Sequence, residues 1–317
     1  MKRILKYLGI LVLGIVVLII IGLSFIGIRG IPSYEVEPIS YNVNYSQEAF
    51  ERGQALTMTL CAGCHLNGSR GTLSGQPMVD VPAEFGPVYA PNITQSAEHG
   101  IGDWTEGDIV RLLRTGIKRD GSYAPPWMAK LPHMPDQDMN ALLVYLTSDA
   151  LEVKADEFPD QPCEPSFLSK VLCNTVMKPF PMPNDVIAHP DVDDPIAHGR
   201  YLAVNMDCFP CHSPDFKTVD YLNPENTPGY FSGGNTPLDL EGKVRITMNL
   251  TPDMETGIGS WTKEEFVKAV KYGQKEGEPA LRYPMQPYVH LTDSEVEAIY
   301  SYLMSIPAID NITEREL

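Results

Sequence analysis

The sequence predicts a mainly α-helical chain in which two tandem copies of one domain follow an N-terminal apolar helix. Three observations carry this prediction. A Cys-x-x-Cys-His run occurs twice, several short blocks recur 157 residues apart, and residues 7–28 form an uncharged run of 22 residues. Apolar residues recur at helical spacing, while the period-two pattern of strands is scarce.

The N-terminal run, residues 7–28, is long enough to cross a bilayer as a helix. A cleaved signal peptide is the alternative, but the run exceeds the usual signal core and no small-x-small site follows it closely. We therefore expect a retained single-pass anchor over residues 1–30. Three basic residues precede the run, which predicts that the N-terminus stays in the cytoplasm. The rest of the chain would then lie in the periplasm, outside a bacterial inner membrane.

Beyond the anchor the chain is strongly acidic. All 41 acidic residues but only 20 of the 24 basic residues lie there, which gives a formal charge of −21. Such a surface excludes nucleic acid as a partner, because a nucleic-acid interface needs positive charge. The charge is compatible with plain solubility and with steering towards a basic docking face on a protein partner.

Each domain begins with a motif that points to a cofactor. Cys-x-x-Cys-His is the attachment signature of c-type haem, because two thiols on one helical turn can bond both porphyrin vinyl groups and the histidine then reaches the iron. A shared zinc site, a thioredoxin-like dithiol and a disulfide are the alternatives. They leave the paired histidines or the matched methionines unexplained. The motifs predict two covalent haems c, on Cys61, Cys64 and His65 and on Cys208, Cys211 and His212.

The internal repeat defines the domains. At the offset of 157 the matched pairs include Asn92/Asn249, Trp104/Trp261, Gly116/Gly273, Met128/Met285, His133/His290 and Asp136/Asp293. The two haem motifs are only 147 apart, so the second copy holds ten extra residues, which we expect in a longer surface loop over 223–242. The predicted units are domain 1 (31–150), a proline-rich linker (151–191) and domain 2 (192–317).

Helix boundaries follow from local signals. Residues suited to cap helix N-termini are Ser46, Thr105, Asp194, Thr262 and Thr292, and two glycines, Gly116 and Gly273, are placed to end helices. Three of the caps fit a capping box, with a carboxylate three residues later. The last helix of each copy is predicted by apolar residues at i, i+3, i+4 and i+7.

The repeat also narrows the choice of a second iron ligand. Histidine with methionine is the cytochrome c ligand pair, and thirteen methionines compete, each of which could simply pack in a core. Met128 and Met285 are matched, and both lie on irregular chain before the last helix. The rival Met134 is matched by Leu291, which cannot bind iron. We predict Met128 and Met285 as ligands.

Other matched polar residues are weaker candidates. Asn92 and Asn249 lie in Asn-x-Thr sequences, which can be glycosylation sites. Their matched position in both copies favours a haem-pocket role instead, either bonding a propionate or ordering the methionine loop. The indole N–H groups of Trp104 and Trp261 could serve similarly, although packing is as good an explanation. Four basic residues are expected on solvated helix faces rather than beside propionates: Arg111, Arg114, Lys268 and Lys271.

The linker holds the two remaining cysteines, Cys163 and Cys173. In an oxidising compartment such a pair most often forms a disulfide, so we expect one here, with two free thiols as the alternative. Seven prolines predict that most of the linker is extended.

With these residues in view, the chain resembles membrane-anchored dihaem members of the class I cytochrome c family. The resemblance covers nearly all of the chain beyond the anchor. It rests on Cys-x-x-Cys-His, the Asn-x-Thr and Gly-x-Trp-Thr runs, and the methionine loop before the last helix. Its pattern is similar to cytochrome subunits of periplasmic alcohol or sugar dehydrogenases, and other relatives feed terminal oxidases. One departure is that Pro-Pro-Trp precedes Met128, where relatives commonly read Met-Pro-aromatic.

The resemblance implies a one-electron relay rather than an enzyme, with respiratory electron-transfer proteins as partners. A dihaem peroxidase-like enzyme is the alternative, and it would need one haem with a labile ligand. Two matched methionine loops speak against it. A structural or redox-sensing role is the third possibility, but no signalling domain accompanies the motifs.

Overall fold

The structure, a computed structural model, describes residues 2–275, 277 and 280–313. These residues are mainly helical. Among them, two short antiparallel strands pair with each other, β1 (Gln76–Pro77) and β2 (Tyr89–Ala90). The helices are α1 (Lys2–Arg29), α2 (Gln47–Leu60), α3 (Ala62–His65), α4 (Glu106–Thr115), α5 (Asp136–Leu146), α6 (Phe167–Thr175), α7 (Pro195–Asn205), α8 (Cys208–Cys211), α9 (Lys263–Tyr272) and α10 (Asp293–Leu303).

The helices begin and end where the local signals predict. The five predicted N-cap side chains all accept a hydrogen bond from the first turn of their helices, and three of them close a capping box. Gly116 and Gly273 end α4 and α9 in the left-handed conformation, which glycine adopts without steric cost. Both copies of the predicted secondary structure are therefore confirmed.

Each domain is built on a close helix crossing. Helix α2 packs on α5, and α7 packs on α10. At the crossings, Gly53 lies against the carbonyl of Ala141 and Gly199 against the carbonyl of Ala298, so that a Cβ on either glycine would overlap that oxygen. The fully buried side chains around these crossings form the core. This pair of glycines lies at matched places in the repeat and was not singled out from the sequence.

The two domains meet through a charged cluster centred on Arg52 of α2. Its guanidinium lies 3.0 Å from the buried carboxylate of Asp138 in the same domain and 2.5 Å from Glu295 in the other. The Tyr201 hydroxyl of domain 2 also donates to Asp138. Because Asp138 and Glu295 occupy matched positions of the repeat, the last helices of the two copies share one cation.

The linker packs against domain 1. The Tyr123 hydroxyl donates to the carbonyl of Lys178, and the Phe180 amide donates to the carbonyl of Thr115. The chain just after residue 150 also belongs structurally to domain 1, since the Gln95 amide donates to the Val153 carbonyl. Most of the linker is extended as predicted, but α6 interrupts it.

The inserted segment of domain 2 is not simply a surface loop. Phe231 is fully buried, and Asn235 donates to the carbonyl of Pro210 inside the second Cys-x-x-Cys-His run. The Gly233 amide donates to the carbonyl of His212. The expectation of a surface loop was wrong for this part of the segment. Glycine and proline indicate an irregular backbone, but burial depends on tertiary contacts, which they do not predict.

Candidate haem sites

Both Cys-x-x-Cys-His runs lie directly after the first helix of their domain. Cys61 caps the end of α2, and Cys64 and His65 lie on the short helix α3. In domain 2, Cys208 and Cys211 bound α8 and His212 caps it. The two thiols of each motif are therefore one helical turn apart, as thioether attachment to one porphyrin edge requires.

Each motif histidine has its orientation and tautomer fixed by the backbone. His65 Nδ1 lies 2.8 Å from the carbonyl oxygen of Pro91, and His212 Nδ1 lies 2.8 Å from the carbonyl oxygen of Met248. A carbonyl can only accept, so Nδ1 carries the proton and donates it. Burial lowers the pKa of both imidazoles, which favours the neutral ring. Nε2 then keeps a free lone pair, the state that an iron ligand needs.

The thiols of the motifs are not activated. Burial raises the pKa of Cys61 to about 12 and that of Cys64 to about 11, and it raises the pKa of Cys208 to about 12. Burial also raises the pKa of Cys211. A thioredoxin-like dithiol requires the opposite shift, towards the thiolate. The electrostatic environment therefore disfavours the dithiol alternative.

The matched methionines lie on the same backbone turn in both domains. The Met128 amide donates to the Pro125 carbonyl over 3.1 Å, and the Met285 amide donates to the Arg282 carbonyl over 3.0 Å. Each methionine lines a cavity together with the two cysteines and the histidine of its own domain. The rival, Met134, is fully buried in the core. The structure thus brings together the four residues predicted for each haem.

Both cavities have largely apolar walls. The second is lined by aliphatic and aromatic side chains such as Leu250, Phe266 and Ile299, and the first by Ile93, Leu112 and others. This combination of paired thiols, a neutral imidazole, a thioether and an apolar wall is the donor set and environment of haem c.

The two cavities differ in size and share a wall. The first has a volume of about 1070 Å³ and extends from domain 1 to the linker and to domain 2, whereas the second has a volume of about 250 Å³. Four residues of domain 2 line both: Asp207, Cys211, Pro284 and Tyr288. A cysteine of the second motif thus borders the cavity of the first.

The hydrogen bonds of the predicted asparagines speak against propionate binding, one of the two roles expected for them, although Asn92 does line the first cavity. The Asn92 amide donates to the carbonyls of Asp156 and Phe158, and its oxygen accepts from Thr94. Asn249 repeats this with Ile309 and Thr251. Donors and acceptors of both side chains are engaged, so neither amide is available to a propionate. Each asparagine instead ties the chain after the last helix to its domain.

The two tryptophans lie at the cavities. Trp104 lines the first cavity and Trp261 lines the second. Trp261 also stacks with a cation, since Lys275 Nζ lies 4.1 Å from its ring centroid. Both are packed against the core, as the packing explanation requires.

The two linker cysteines differ in burial. Cys163 is exposed and contacts the backbone of Tyr89, whereas Cys173 is buried on α6, a helix that was not predicted. The disulfide between them stays a prediction.

The expectation of solvated basic residues was wrong for Arg111, Arg114 and Lys271, which are buried. The Arg114 guanidinium donates to Asp136 over 2.7 Å and to the Leu131 carbonyl. Lys271 pairs with Asp293 at the matched positions.

Sequence reasoning missed the interdomain contacts that border the first cavity. His133 Nε2 donates to the Tyr221 carbonyl over 2.9 Å, and the Tyr283 hydroxyl donates to Asp80 over 2.5 Å. His133 is thus engaged with domain 2. The unmatched Asp80 and Tyr221 gave no signal, because a repeat reveals what the copies share and not where they touch.

A family model described as Cytochrome c matches residues 50–149 and 196–307. The chain is 30% identical to the Fructose dehydrogenase cytochrome subunit of Gluconobacter japonicus over 82% of this chain and 53% of that protein. It is 28% identical to the Gluconate 2-dehydrogenase cytochrome c subunit of Pantoea cypripedii, over 79% and 57% respectively. It is 27% identical to the Diheme cytochrome c-type of Cereibacter sphaeroides, over 79% and 83%. The chain spans about half the length of the two dehydrogenase subunits.

Proposed function

The chain belongs to the cytochrome c family, whose members carry covalently bound haem c and transfer electrons, and we propose that it is a membrane-anchored dihaem relay serving a periplasmic dehydrogenase. It is an electron-transfer protein rather than an enzyme. The observation that carries the relay is the wall that the two cavities share, because electron transfer between cofactors depends on their proximity.

The residues of each domain have distinct roles in this proposal. Cys61 and Cys64 would attach the first haem, with His65 and Met128 binding its iron. Cys208, Cys211, His212 and Met285 would do the same in domain 2. Haem c supplies an iron that gains and loses one electron. His65 with Met128, and His212 with Met285, would supply two ligands to each iron, and the apolar wall would keep water from the ring, while a backbone carbonyl orients each histidine. Methionine with histidine tends to raise the reduction potential.

The interdomain contacts support a fixed path between the haems. The Arg52 cluster holds the last helices of the two domains together, and His133 of domain 1 donates to the Tyr221 carbonyl of domain 2 beside the first cavity. Such contacts would keep the separation of two bound cofactors constant. Electrons would pass from one domain to the other within one chain, without a diffusive encounter.

The N-terminal helix supports the membrane part of the proposal. Helix α1 is long and apolar enough to cross a bilayer, with no part of its most apolar stretch buried in the protein, although signal sequences share these properties. Two of the relatives are named as cytochrome subunits of fructose and gluconate dehydrogenases. A sugar or alcohol dehydrogenase is therefore the donor that we propose, and an oxidase-linked carrier is a suitable acceptor.

The first test is the visible spectrum of the reduced full chain in mild detergent, with and without carbon monoxide, together with a haem count. We expect two haems per chain and no change with carbon monoxide, because both irons have two protein ligands. A carbon monoxide adduct on one haem would contradict the relay and favour the peroxidase-like alternative. Co-purification of a dehydrogenase subunit in the same detergent tests the proposed partner.

A further inference from the structure

Helix α6 exposes its large apolar side chains to solvent. Phe167 and Leu168 are exposed by 49% and 42%, and Val176, which caps the helix, by 71%. The residues that α6 buries are small or polar, Ser169 and Cys173. A helix on a protein surface normally turns its apolar stripe inward. This helix turns it outward.

The two exposed apolar residues within the helix share one face. At 100° per residue, Phe167, Leu168 and the partly exposed Val171 fall within one third of the helix circumference, and Ser169 and Cys173 fall on the opposite side. Val176 lies beyond the end of the helix and is not part of this face. The inner side is fixed to domain 1, since Ser169 Oγ donates to the Phe85 carbonyl over 2.7 Å. The outward direction of the apolar face is therefore set by bonds to the protein.

The same helix contacts the end of the proposed anchor. Arg29 Nη1 donates to Asn174 Oδ1 over 3.1 Å, and Asn174 Nδ2 donates to the Gly30 carbonyl over 2.8 Å. Phe167 lies beside Gly27. Helix α6 thus lies at the last turn of α1, where the apolar run ends and charge begins. In a protein anchored by α1, that level is the boundary between acyl chains and headgroups.

From these contacts we propose that the outer face of α6 inserts into the phospholipid surface around the anchor and seats domain 1 on the membrane. The occupant is a bilayer, because the face continues the apolar surface of α1 and meets it at the interfacial level. Lys170 on α6 and Lys178, whose ammonium donates to carbonyls of the last turn of α6, add positive charge at this helix, and positive charge attracts anionic lipids. The inference rests on the proposed membrane anchor.

Seating domain 1 in this way would orient the first haem site. Phe85, which accepts from Ser169, has its ring 6.0 Å from the ring of Trp127, and Trp127 adjoins Met128. A short series of contacts therefore joins the membrane-facing helix to the methionine loop of domain 1. Domain 1 becomes the membrane-proximal domain of the relay.

The test uses the full haem-loaded chain in nanodiscs that contain a phospholipid with a photoactivatable group on its acyl chain. After illumination, mass spectrometry of the peptides locates the crosslinks. We expect crosslinks in α1 and on the α6 peptide, and none around Val186 of the linker and Val192 at the start of domain 2, two apolar residues that are even more exposed than Phe167 and Leu168. Replacing both Phe167 and Leu168 by Glu should abolish the α6 crosslinks and leave those in α1 intact.

The outcomes separate the inference from the proposal beneath it. Crosslinks in α1 without any in α6 overturn the inference and leave the anchor standing. Crosslinks in neither helix overturn both. Crosslinks that spread equally to Val186 and Val192 would mean nonspecific adsorption and also overturn it. An unchanged haem spectrum in the double variant shows that the fold has survived, as the exposure of both side chains leads us to expect.

Discussion

The two haem domains carry the same chemistry in different surroundings. In both, the motif histidine hydrogen-bonds a backbone carbonyl, the methionine lies on a turn with the same backbone hydrogen bond, and a glycine lies at the main helix crossing. The first cavity, about 1070 Å³, opens to the linker and to domain 2, whereas the second, about 250 Å³, lies within domain 2. The repeated parts bind the cofactor, and the unrepeated parts decide what each cofactor can reach.

The unrepeated parts are also unequally distributed. The linker packs on domain 1 and on the end of α1, and the inserted segment packs on the second motif of domain 2. When the two copies of a duplicated electron carrier contact different segments, each haem site can exchange electrons with a different partner, which gives the electron flow a direction. The following predictions test how far the copies differ, beginning with the largest effect.

Removing the attachment thiols tests whether the copies bind haem independently. A variant with Cys61 and Cys64 replaced by Ala should lose one haem per chain, and so should one with Cys208 and Cys211 replaced. The reason is that each domain brings its own cysteine pair together with its own histidine and methionine. Intact mass and a pyridine haemochrome assay give the count. Loss of both haems from either variant would show that one site must be filled for the other to form.

Removing the methionines tests the difference in cavity volume. Met128→Ala and Met285→Ala should each lower the reduction potential of one haem by on the order of 100 mV, a fraction of the range that axial ligands span. Each should also create a carbon monoxide site. We expect faster carbon monoxide binding in the Met128 variant, because the first cavity is the larger, and flash photolysis measures this. Equal rates would mean that cavity volume does not govern access; Met134→Ala is the control.

Breaking the shared cation tests the interface. Arg52→Ala leaves Asp138 and Glu295 without their common partner, and removing one member of a buried pair typically costs about 3–5 kcal/mol. Arg200→Ala, which breaks an exposed pair with Glu225, should cost less than about 1 kcal/mol. Guanidinium unfolding gives both values. Similar losses in the two variants would contradict the central role of the cluster.

The smallest expected effect concerns an ion pair present in one copy only. Arg70 and Thr72 bond the Asp156 carboxylate and hold its pKa at about 2, below its usual 3.8, whereas the matched residue of domain 2 is Thr313. A depressed pKa stabilises the fold above about pH 4, and this contribution disappears as the pH falls towards about 2. Urea unfolding of Asp156→Asn should show a deficit at neutral pH that vanishes near pH 2. A deficit independent of pH would rule out the charge as its cause.

Much of the fold could be predicted because its determinants are local. Capping side chains, chain-ending glycines and apolar spacing act within a few residues, and the repeat applied each signal twice. The residues of the candidate sites followed for the same reason, since Cys61, Cys64 and His65 are adjacent in sequence. Met128 and Met285 needed the repeat, which distinguished them from the other methionines.

The sequence by itself determined the helices, the duplication and the chemistry of the predicted haem ligands. Only the tertiary structure decided that Asn92 bonds the chain after the last helix of domain 1, that Arg114 is buried, and that Arg52 joins the domains. These contacts join segments that are distant in sequence, and such contacts determine whether a polar group is buried and what it bonds. A pattern that extends over a few residues therefore cannot predict them.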